Sequence, residues 1–445
     1  MKIILPRQTT AYTCGPTTLS AVARILGKPI DEDVIADALD ARAKIGTAHH
    51  DMEEWAVNNL PVSSFGSDSY EGGLSIANIQ NKDSGNGHYV LFLGQKDGTI
   101  RYYCPHIGRM VEQNQDELCW QNGDGSLKNW SINFDVSADF YNLDIRPEQH
   151  VFFLGDALDS LDTSTDTSLV LMQGYNKRDR KASWHIIDDV FIRGEMLYLS
   201  GFPVFSNDLV WIRLNPDNNI RYFSVLQQLC HVKAIMLNSA QSIMTCNDKK
   251  LTTEFREKNH VFTVFSRQSL AAAINHLNRD GATSYVIKPP GLFGGQDVHI
   301  TKNIDELEKH FDKILAHSGC AIIEKYIVQE HDLSVDTSVL VTWDRIIGAV
   351  KRTAKDKGSL TPWHQGAFSE VIKGLSSFQI STISKAQEMM RQKGIFIAGF
   401  DFLDDELIEI NISCPGGVTH LNNIYKTNVE SEIIKSADLF RHCEE

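Results

Sequence analysis

The sequence predicts an α+β chain in two domains, and three observations carry that prediction. At 445 residues it exceeds what one hydrophobic core usually serves. Its hydrophobic pattern is interrupted by a polar, Asn/Gly/Ser-rich stretch at 121–148, after which a strand-like run restarts at Val151-Phe152-Phe153-Leu154-Gly155. From 149 onward, segments with strand character alternate with segments of helical period. Two domains, 1–135 and 149–445, are therefore expected.

The first domain opens with a helical stretch over 17–43. Thr17 and Thr18 start it, and Leu19, Val22, Ile25 and Leu26 recur at helical spacing. Gly27 closes its first piece ahead of Pro29. The pair His49-His50 reads as a solvated helix end. A β-hairpin follows, in which Tyr89–Leu93 and Thr99–Tyr103 flank a Lys-Asp-Gly turn at 96–98. In the second domain helical period appears at 267–278, 304–316 and 380–393. Strand runs appear at 285–288, 320–324, 335–341 and 407–412. There is no internal repeat and no low-complexity tract.

Composition narrows the classes. With 42% apolar and 22% charged residues the chain is ordinary globular material, and its formal charge of −14 argues against nucleic-acid or membrane-surface partners. Met1-Lys2-Ile3-Ile4-Leu5 is cut short by Pro6 and Arg7, so neither a signal peptide nor a membrane span is read there, and a cytoplasmic protein is expected. Eight cysteines carry no CxxC pair, which excludes a zinc-ribbon pattern and a small disulfide framework.

The densest chemical signal lies near the end. Ala398-Gly399-Phe400-Asp401 leads into Leu407-Ile408-Glu409-Ile410-Asn411-Ile412-Ser413. Glu409 and Asn411, two apart on a strand, share one face, and Asp401 reaches them from the neighbouring strand of a hairpin. Such a set of hard oxygen donors suits Mg²⁺, which keeps further positions for water and phosphate oxygens. Upstream, Tyr285-Val286-Ile287-Lys288-Pro289-Pro290-Gly291-Leu292-Phe293-Gly294-Gly295 places a lysine at a strand end before a glycine-bearing loop, a combination that can hold phosphate.

Asn247-Asp248-Lys249 precedes that loop, and Cys320-Ala321-Ile322-Ile323-Glu324-Lys325-Tyr326-Ile327, Asp332 and Arg352 lie between it and the acid trio. With Leu209-Val210-Trp211-Ile212 before Arg213 and Leu237-Asn238-Ser239-Ala240-Gln241 before Asn247, this ordered set resembles the ATP-grasp superfamily, and within it the prokaryotic glutathione synthetases, over roughly 149–435. The resemblance implies a three-subdomain ATP-grasp fold with ATP and Mg²⁺ as cofactors. It implies Lys249 and Lys288 on the α- and β-phosphates and Gly294 and Gly295 in a closing loop. Glu324, Lys325, Tyr326 and Ile327 would form the adenine hinge, with Asp332 near the ribose. Asp401, Glu409 and Asn411 would hold two Mg²⁺ ions, and Arg352 would neutralise the transferring phosphoryl group. Arg213 would clamp a substrate carboxylate, and Ser413 would belong to a variant substrate loop, Ser413-Cys414-Pro415-Gly416-Gly417. The expected substrates are a carboxylate and an amine, small or peptidic, and a homo-oligomer fits the family's habit.

In the first third, Gln8, Cys14-Gly15-Pro16 opening a helix and Gly87-His88-Tyr89-Val90 on a strand form a second constellation. A thiolate is favoured at a helix N-terminus, a histidine can complete an ion pair, and a glutamine can donate to an oxyanion. With the Tyr102-Tyr103-Cys104-Pro105 turn, the pattern resembles papain-like peptidases that process double-glycine leader peptides. That resemblance implies Cys14 as nucleophile, His88 as base and Gln8 in the oxyanion hole. It departs from the family in having Cys104 where an orienting Asp normally stands, with His106 or Asp83 as substitutes.

The sequence thus predicts an α+β chain in which a papain-like cysteine peptidase or amidase domain precedes a glutathione-synthetase-like ATP-grasp amide ligase. The alternatives are a ligase that modifies a ribosomal peptide, whose first domain recognises or cuts the leader, and a ligase with a non-catalytic binding module.

Overall fold

A computed structural model describes residues 2–444 apart from 9, 11, 42–45, 81–85, 121–128, 137, 157–165, 179, 216–219, 247, 257–259, 293–294, 330–332, 357–360 and 362–365. The chain divides into two compact units. One comprises Met1–Gln149 with Ser200–Pro203, the other His150–Leu199 with Val204–Glu445.

In the first unit an antiparallel six-stranded sheet runs in the order Val62–Gly66, Ser131–Phe134, Ser75–Gln80, Gly87–Lys96, Thr99–Cys104, Arg109–Asn114. The hairpin at its centre turns through Asp97 (φ 48°) and Gly98 (φ 75°). Two successive positive φ values match the twist of the flanking strands, which is why Asp-Gly serves there. The helical stretch resolves into two helices, Cys14–Ile25 and Glu32–Ala38. Pro16 is tolerated in the first turn because its missing N–H would have no intrahelical partner, and Gly27 leaves the helix with φ 73°. Leu19, Val22 and Ala23 bury the helix's apolar face in a core shared with Leu91, Tyr103 and Trp130.

His49 departs from its expected solvated setting. It begins the helix His49–Asn59, but its ring stacks on Trp130 with centroids 4.3 Å apart, and Nδ1 shares a short hydrogen bond with the Tyr89 hydroxyl. Burial holds its pKa below the ordinary imidazole value. The aromatic surface of Trp130, distant in sequence, is what the adjacent His-His pair could not reveal.

The second unit holds three sheets that position the site. A parallel sheet runs Ala182–Ile186, Val151–Gly155, Leu209–Arg213, Ile235–Leu237. Its two central strands, Val151–Gly155 and Leu209–Arg213, are near-continuous apolar runs buried at every position, as expected of a sheet covered on both faces. An antiparallel sheet runs Val261–Val264, Ala321–Lys325, Tyr285–Lys288, His299–Thr301, backed by the helices Arg267–Arg279 and Ile304–Ser318. A five-stranded antiparallel sheet runs Phe368–Val371, Ile346–Thr353, Val335–Thr342, Ile397–Leu403, Glu406–Asn411. The helix Ser377–Lys393 covers its apolar face through Ile383, Ala386 and Met390. This helix opens with a reciprocal capping box between Ser376 and Gln379 and ends at Gly394 in the left-handed region.

One buried amide anchors the last hairpin. Asn238 donates to the carbonyls of Ile397 (2.8 Å) and Ile412 (2.6 Å), and its Oδ1 accepts from the N–H groups of Phe396 (2.7 Å) and Ile397 (2.8 Å). Every hydrogen-bonding valence of the side chain is used, which holds the outer ends of the two strands in register.

Candidate functional site

Strand register brings the acids of the last hairpin together. Asp401 stands directly opposite Glu409, and Gly399 opposite Asn411. On the adjoining strands Ser338 faces Asp401, and Asp336 faces Arg352. These side chains share the face turned away from the Ile383–Met390 packing, because period-two alternation sends Phe400 and Ile410 into the core instead. Both carboxylates line a cleft of about 890 Å³ that is open to solvent.

The far wall of the cleft comes from the four-stranded sheet. Lys288 pairs with Ile322 and Val286 with Glu324, so Lys288 and Glu324 are diagonal neighbours on one face. Lys288 Nζ lies 2.8 Å from Glu324 Oε1 and 3.4 Å from the Ile408 carbonyl. Lys249, on the short helix Asp248–Thr252, donates to the Leu292 carbonyl in the loop that follows Lys288. That helix is tied to the acid hairpin, since Ile410 N–H donates to Thr252 Oγ1 at 2.9 Å.

Arg352 is the electrostatic centre. Its Nε and one terminal nitrogen bind the two oxygens of Asp336 at 2.8 and 2.6 Å, and the same terminal nitrogen lies 2.9 Å from Asp401 Oδ2. Burial works against the guanidinium's charge, but Asp401 and Asp336 together raise its pKa above the ordinary value. Burial raises the Asp336 pKa to about 6 against the pull of Arg352, and Thr361 Oγ1 also donates to it. Sequence reasoning missed Asp336, Thr361 and Arg256. Asp336 had one available signal, a lone acid on an apolar strand, but its partner depends on a strand register that the sequence does not display.

Of the residues singled out from the sequence, the cleft is lined by Lys249, Lys288, Gly295, Glu324, Lys325, Tyr326, Ile327, Arg352, Asp401 and Glu409. Gly294 and Asp332 lie outside the described residues. Asn411 sits two residues beyond Glu409, where its Oδ1 accepts from Cys414 N–H at 3.4 Å. Lys325 and Tyr326 N–H groups donate to the carbonyls of His260 (3.2 Å) and Ser284 (3.0 Å), so those two amides are engaged within the fold. Arg213 and Ser413 are buried away from the cleft. Arg213 donates to Ser168 Oγ (2.9 Å) and the Pro415 carbonyl (3.0 Å), and thus fastens the 413–417 loop to the parallel sheet with two of its donors.

The donor set fits the cofactors. Two carboxylates on neighbouring strands, with lysines at the opposite wall, match a magnesium ion bound through one or two protein carboxylates and the phosphates of a nucleotide. Among the described residues no cluster of three or more His, Cys, Asp or Glu side chains forms a richer metal cage elsewhere.

The first unit presents a different picture. Cys14 does begin a helix, but burial raises its thiol pKa above the ordinary value. His88 Nε2 lies 3.2 Å from Cys104 Sγ, and burial, helped by His106, lowers the imidazole pKa to about 3. Gln8 spends its Nε2 donor on the Thr10 carbonyl at 3.0 Å. A catalytic cysteine needs a lowered pKa and a cationic or polarised partner, whereas this one has a pKa raised by burial and, further, by the negative charge of Glu32. Asp83 lies outside the described residues.

His88 makes acid a destabilising condition. Its folded pKa lies far below the ordinary histidine value, so between about pH 6.5 and 3 the unfolded chain binds a proton that the folded chain does not. Stability contributed by the neutral imidazole is complete above that window and is lost as pH falls through it, on the order of 5 kcal/mol at the acid end. The gap in urea midpoint between wild type and His88→Asn is expected to shrink steadily from pH 7 to 4.5. A gap independent of pH would show that His88 takes up its proton as readily in the folded chain as in the unfolded one, and would overturn its lowered pKa.

Residues 248–426 match the family described as prokaryotic glutathione synthetase, ATP-grasp domain. Glutathione synthetase of Anaplasma centrale is 25% identical over 238 residues, covering 52% of this chain and 73% of that protein. Glutathione synthetase of Prochlorococcus marinus subsp. pastoris is 20% identical over 303 residues, covering 64% and 97%. The crystal structure of D-cycloserine synthetase DcsG matches with a TM-score of 0.50 at 14% identity, covering 64% of this chain and 98% of that one. The similarity is to a single glutathione-synthetase-like ATP-grasp ligase that uses ATP with Mg²⁺. It overturns the expected papain-like peptidase domain, the fold class that included it, and the bifunctional ligase-hydrolase reading. Burial, which raises the Cys14 thiol pKa and lowers that of the His88 imidazole, is the physical reason.

Among the described residues no helix is long and apolar enough to cross a membrane.

Proposed function

We propose that the chain, an ATP-dependent ligase of the ATP-grasp superfamily, joins a small-molecule or peptide carboxylate to an amine as an amide, and that its first unit binds substrate or partner without cleaving it. The observation that carries this reading is the cleft in which two lysines face two paired carboxylates across a buried arginine. Bound ATP supplies the phosphoryl group that activates the carboxylate as an acyl phosphate, and Mg²⁺ offsets the charge of the phosphates.

The chain's own residues then have distinct tasks. Lys249 and Lys288 hold phosphate oxygens as point charges, and Gly294 and Gly295 let backbone N–H groups approach them. The 324–327 hinge receives the adenine through its backbone groups and not through the Glu324 carboxylate, and Asp332 is assigned to the ribose. Asp401 and Glu409, with Asn411 next along the strand, hold the metal. Arg352, fixed by Asp336, presents positive charge where the transferring phosphoryl group develops negative charge. Ser413 lies in the loop that meets the acyl substrate, and Arg213 keeps that loop in place. A cytoplasmic location belongs to this reading.

Phosphate release from Mg-ATP, measured against a panel of amino acids, short peptides and polyamines, tests the reading. Release is expected only when one acid and one amine are both present, with stoichiometric amide formed. Cys14→Ala is expected to keep the wild-type rate within about twofold, because on this reading the thiol takes no part in the ligase chemistry. Release that needs no amine, or that disappears in Cys14→Ala, would refute it.

A further inference from the structure

Glu324 was expected to serve the adenine hinge, yet its carboxylate is buried between two cations. Oε1 takes Lys288 at 2.8 Å, and Oε2 takes Arg256. The three side chains are 8%, 7% and 3% exposed for Lys288, Glu324 and Arg256, so all three charges are out of water. Burial pushes the Glu324 pKa up, and Lys288 and Arg256 together bring it below the ordinary carboxylate value. Of the three, Lys288 and Glu324 line the cleft. Arg256 follows the Lys249-bearing helix through a turn in which Glu254 and Phe255 N–H groups donate to Leu251 and Thr252.

From this arrangement we infer that Arg256 is a positioning residue for nucleotide binding, acting as the reserve counterion that lets Lys288 exchange Glu324 for phosphate. The inference rests on the proposed phosphate role of Lys288. A lysine that is to grip phosphate must give up or share its present carboxylate partner. Were Lys288 the sole partner, its departure would strand a buried anion, and an uncompensated buried charge is strongly unfavourable. Because the two cations occupy different oxygens, Glu324 stays neutralised by Arg256 when Lys288 turns to the nucleotide. A single buried pair would have locked Lys288 in place. The three-member arrangement makes it available while keeping it aimed at the cleft between substrate visits.

This exchange makes a non-additive prediction that a purely structural arginine does not. Binding of Mg²⁺ with a non-hydrolysable ATP analogue is measured by calorimetry on the full chain. Arg256→Met is expected to weaken binding about 10- to 100-fold, since release of Lys288 then exposes Glu324 unpaired. Arg256→Lys is expected to stay within a few-fold of wild type. Glu324→Gln, which has no buried anion to strand, is expected to bind at least as tightly as wild type. The double variant Arg256→Met, Glu324→Gln is expected to recover most of the loss, because removing the anion removes the need for its counterion. Weaker binding by Glu324→Gln, or a double variant that binds no better than Arg256→Met, would overturn the exchange. Glu324→Gln keeps the test decisive if Arg256→Met does not fold. Lys288→Met separates the underlying reading from the inference. Loss of binding in that variant supports the phosphate role, and wild-type affinity would overturn that role and the exchange with it.

Discussion

Glu409→Gln is expected to abolish ligation, with phosphate release falling about 10²–10³-fold or more, while the fold is kept. Glutamine has nearly the same shape as glutamate, so the strand Glu406–Asn411 and the packing of Ile410 behind it need not adjust. What is lost is one of two carboxylates placed directly opposite each other. Magnesium bound through one or two protein carboxylates depends on their charge, and a neutral amide oxygen is a much poorer ligand. The same change removes a like-charge neighbour of Asp401, and directly opposed like charges destabilise a sheet. The metal-free variant is therefore expected to unfold at a temperature equal to or slightly above that of wild type. Phosphate-release assays across a Mg²⁺ titration, with thermal unfolding alongside, check both parts. Wild-type turnover by Glu409→Gln would remove this carboxylate from the reaction.

Arg352→Met is expected to cost both activity and stability. The guanidinium satisfies both oxygens of Asp336 and also reaches Asp401. Methionine fills a comparable volume but leaves Asp336, 2% exposed, without its counterion. Breaking a buried pair on one side costs about 3–5 kcal/mol, which should appear as a lower urea midpoint. Ligation should fall about 10²–10³-fold, as when one preorganised donor is removed from a site of developing negative charge. Arg352→Lys should restore much of the stability but little of the rate, since an ammonium cannot reproduce the planar fork across Asp336 while reaching Asp401. The pair of measurements separates the two roles. A Lys variant with full turnover would assign Arg352 to the fold alone.

How far the site could be read from the chain differs from residue to residue. Asp401, Glu409 and Asn411 were legible because strand periodicity is local, and a hairpin between two nearby runs leaves few registers. Lys288 was legible as a strand end before a glycine-bearing loop, and the 324–327 segment only through the resemblance to a family's ordered motifs. Asp336 and Arg256 were not. Their significance lies in partners 16 and 68 residues away, Arg352 and Glu324. No periodicity encodes those separations. Arg213 shows the reverse error, since an arginine at a strand end looked available until Ser168 and Pro415 were seen to occupy two of its donors.

Cys14 and His88 mark the same divide in the first unit. The order of residue types, a cysteine opening a helix and a histidine on a strand, was present in the sequence and suggested a nucleophile. Whether such a pair is reactive depends on dielectric surroundings and on which atom faces which. Burial raises the thiol and lowers the imidazole, and His88 faces Cys104. The sequence by itself determined the strand and helix runs read from periodicity and the order of the candidate motifs, because these follow from local spacing. Tertiary structure alone decided which charges are paired, buried or available, because desolvation and Coulomb energy depend on distances between residues far apart in the chain.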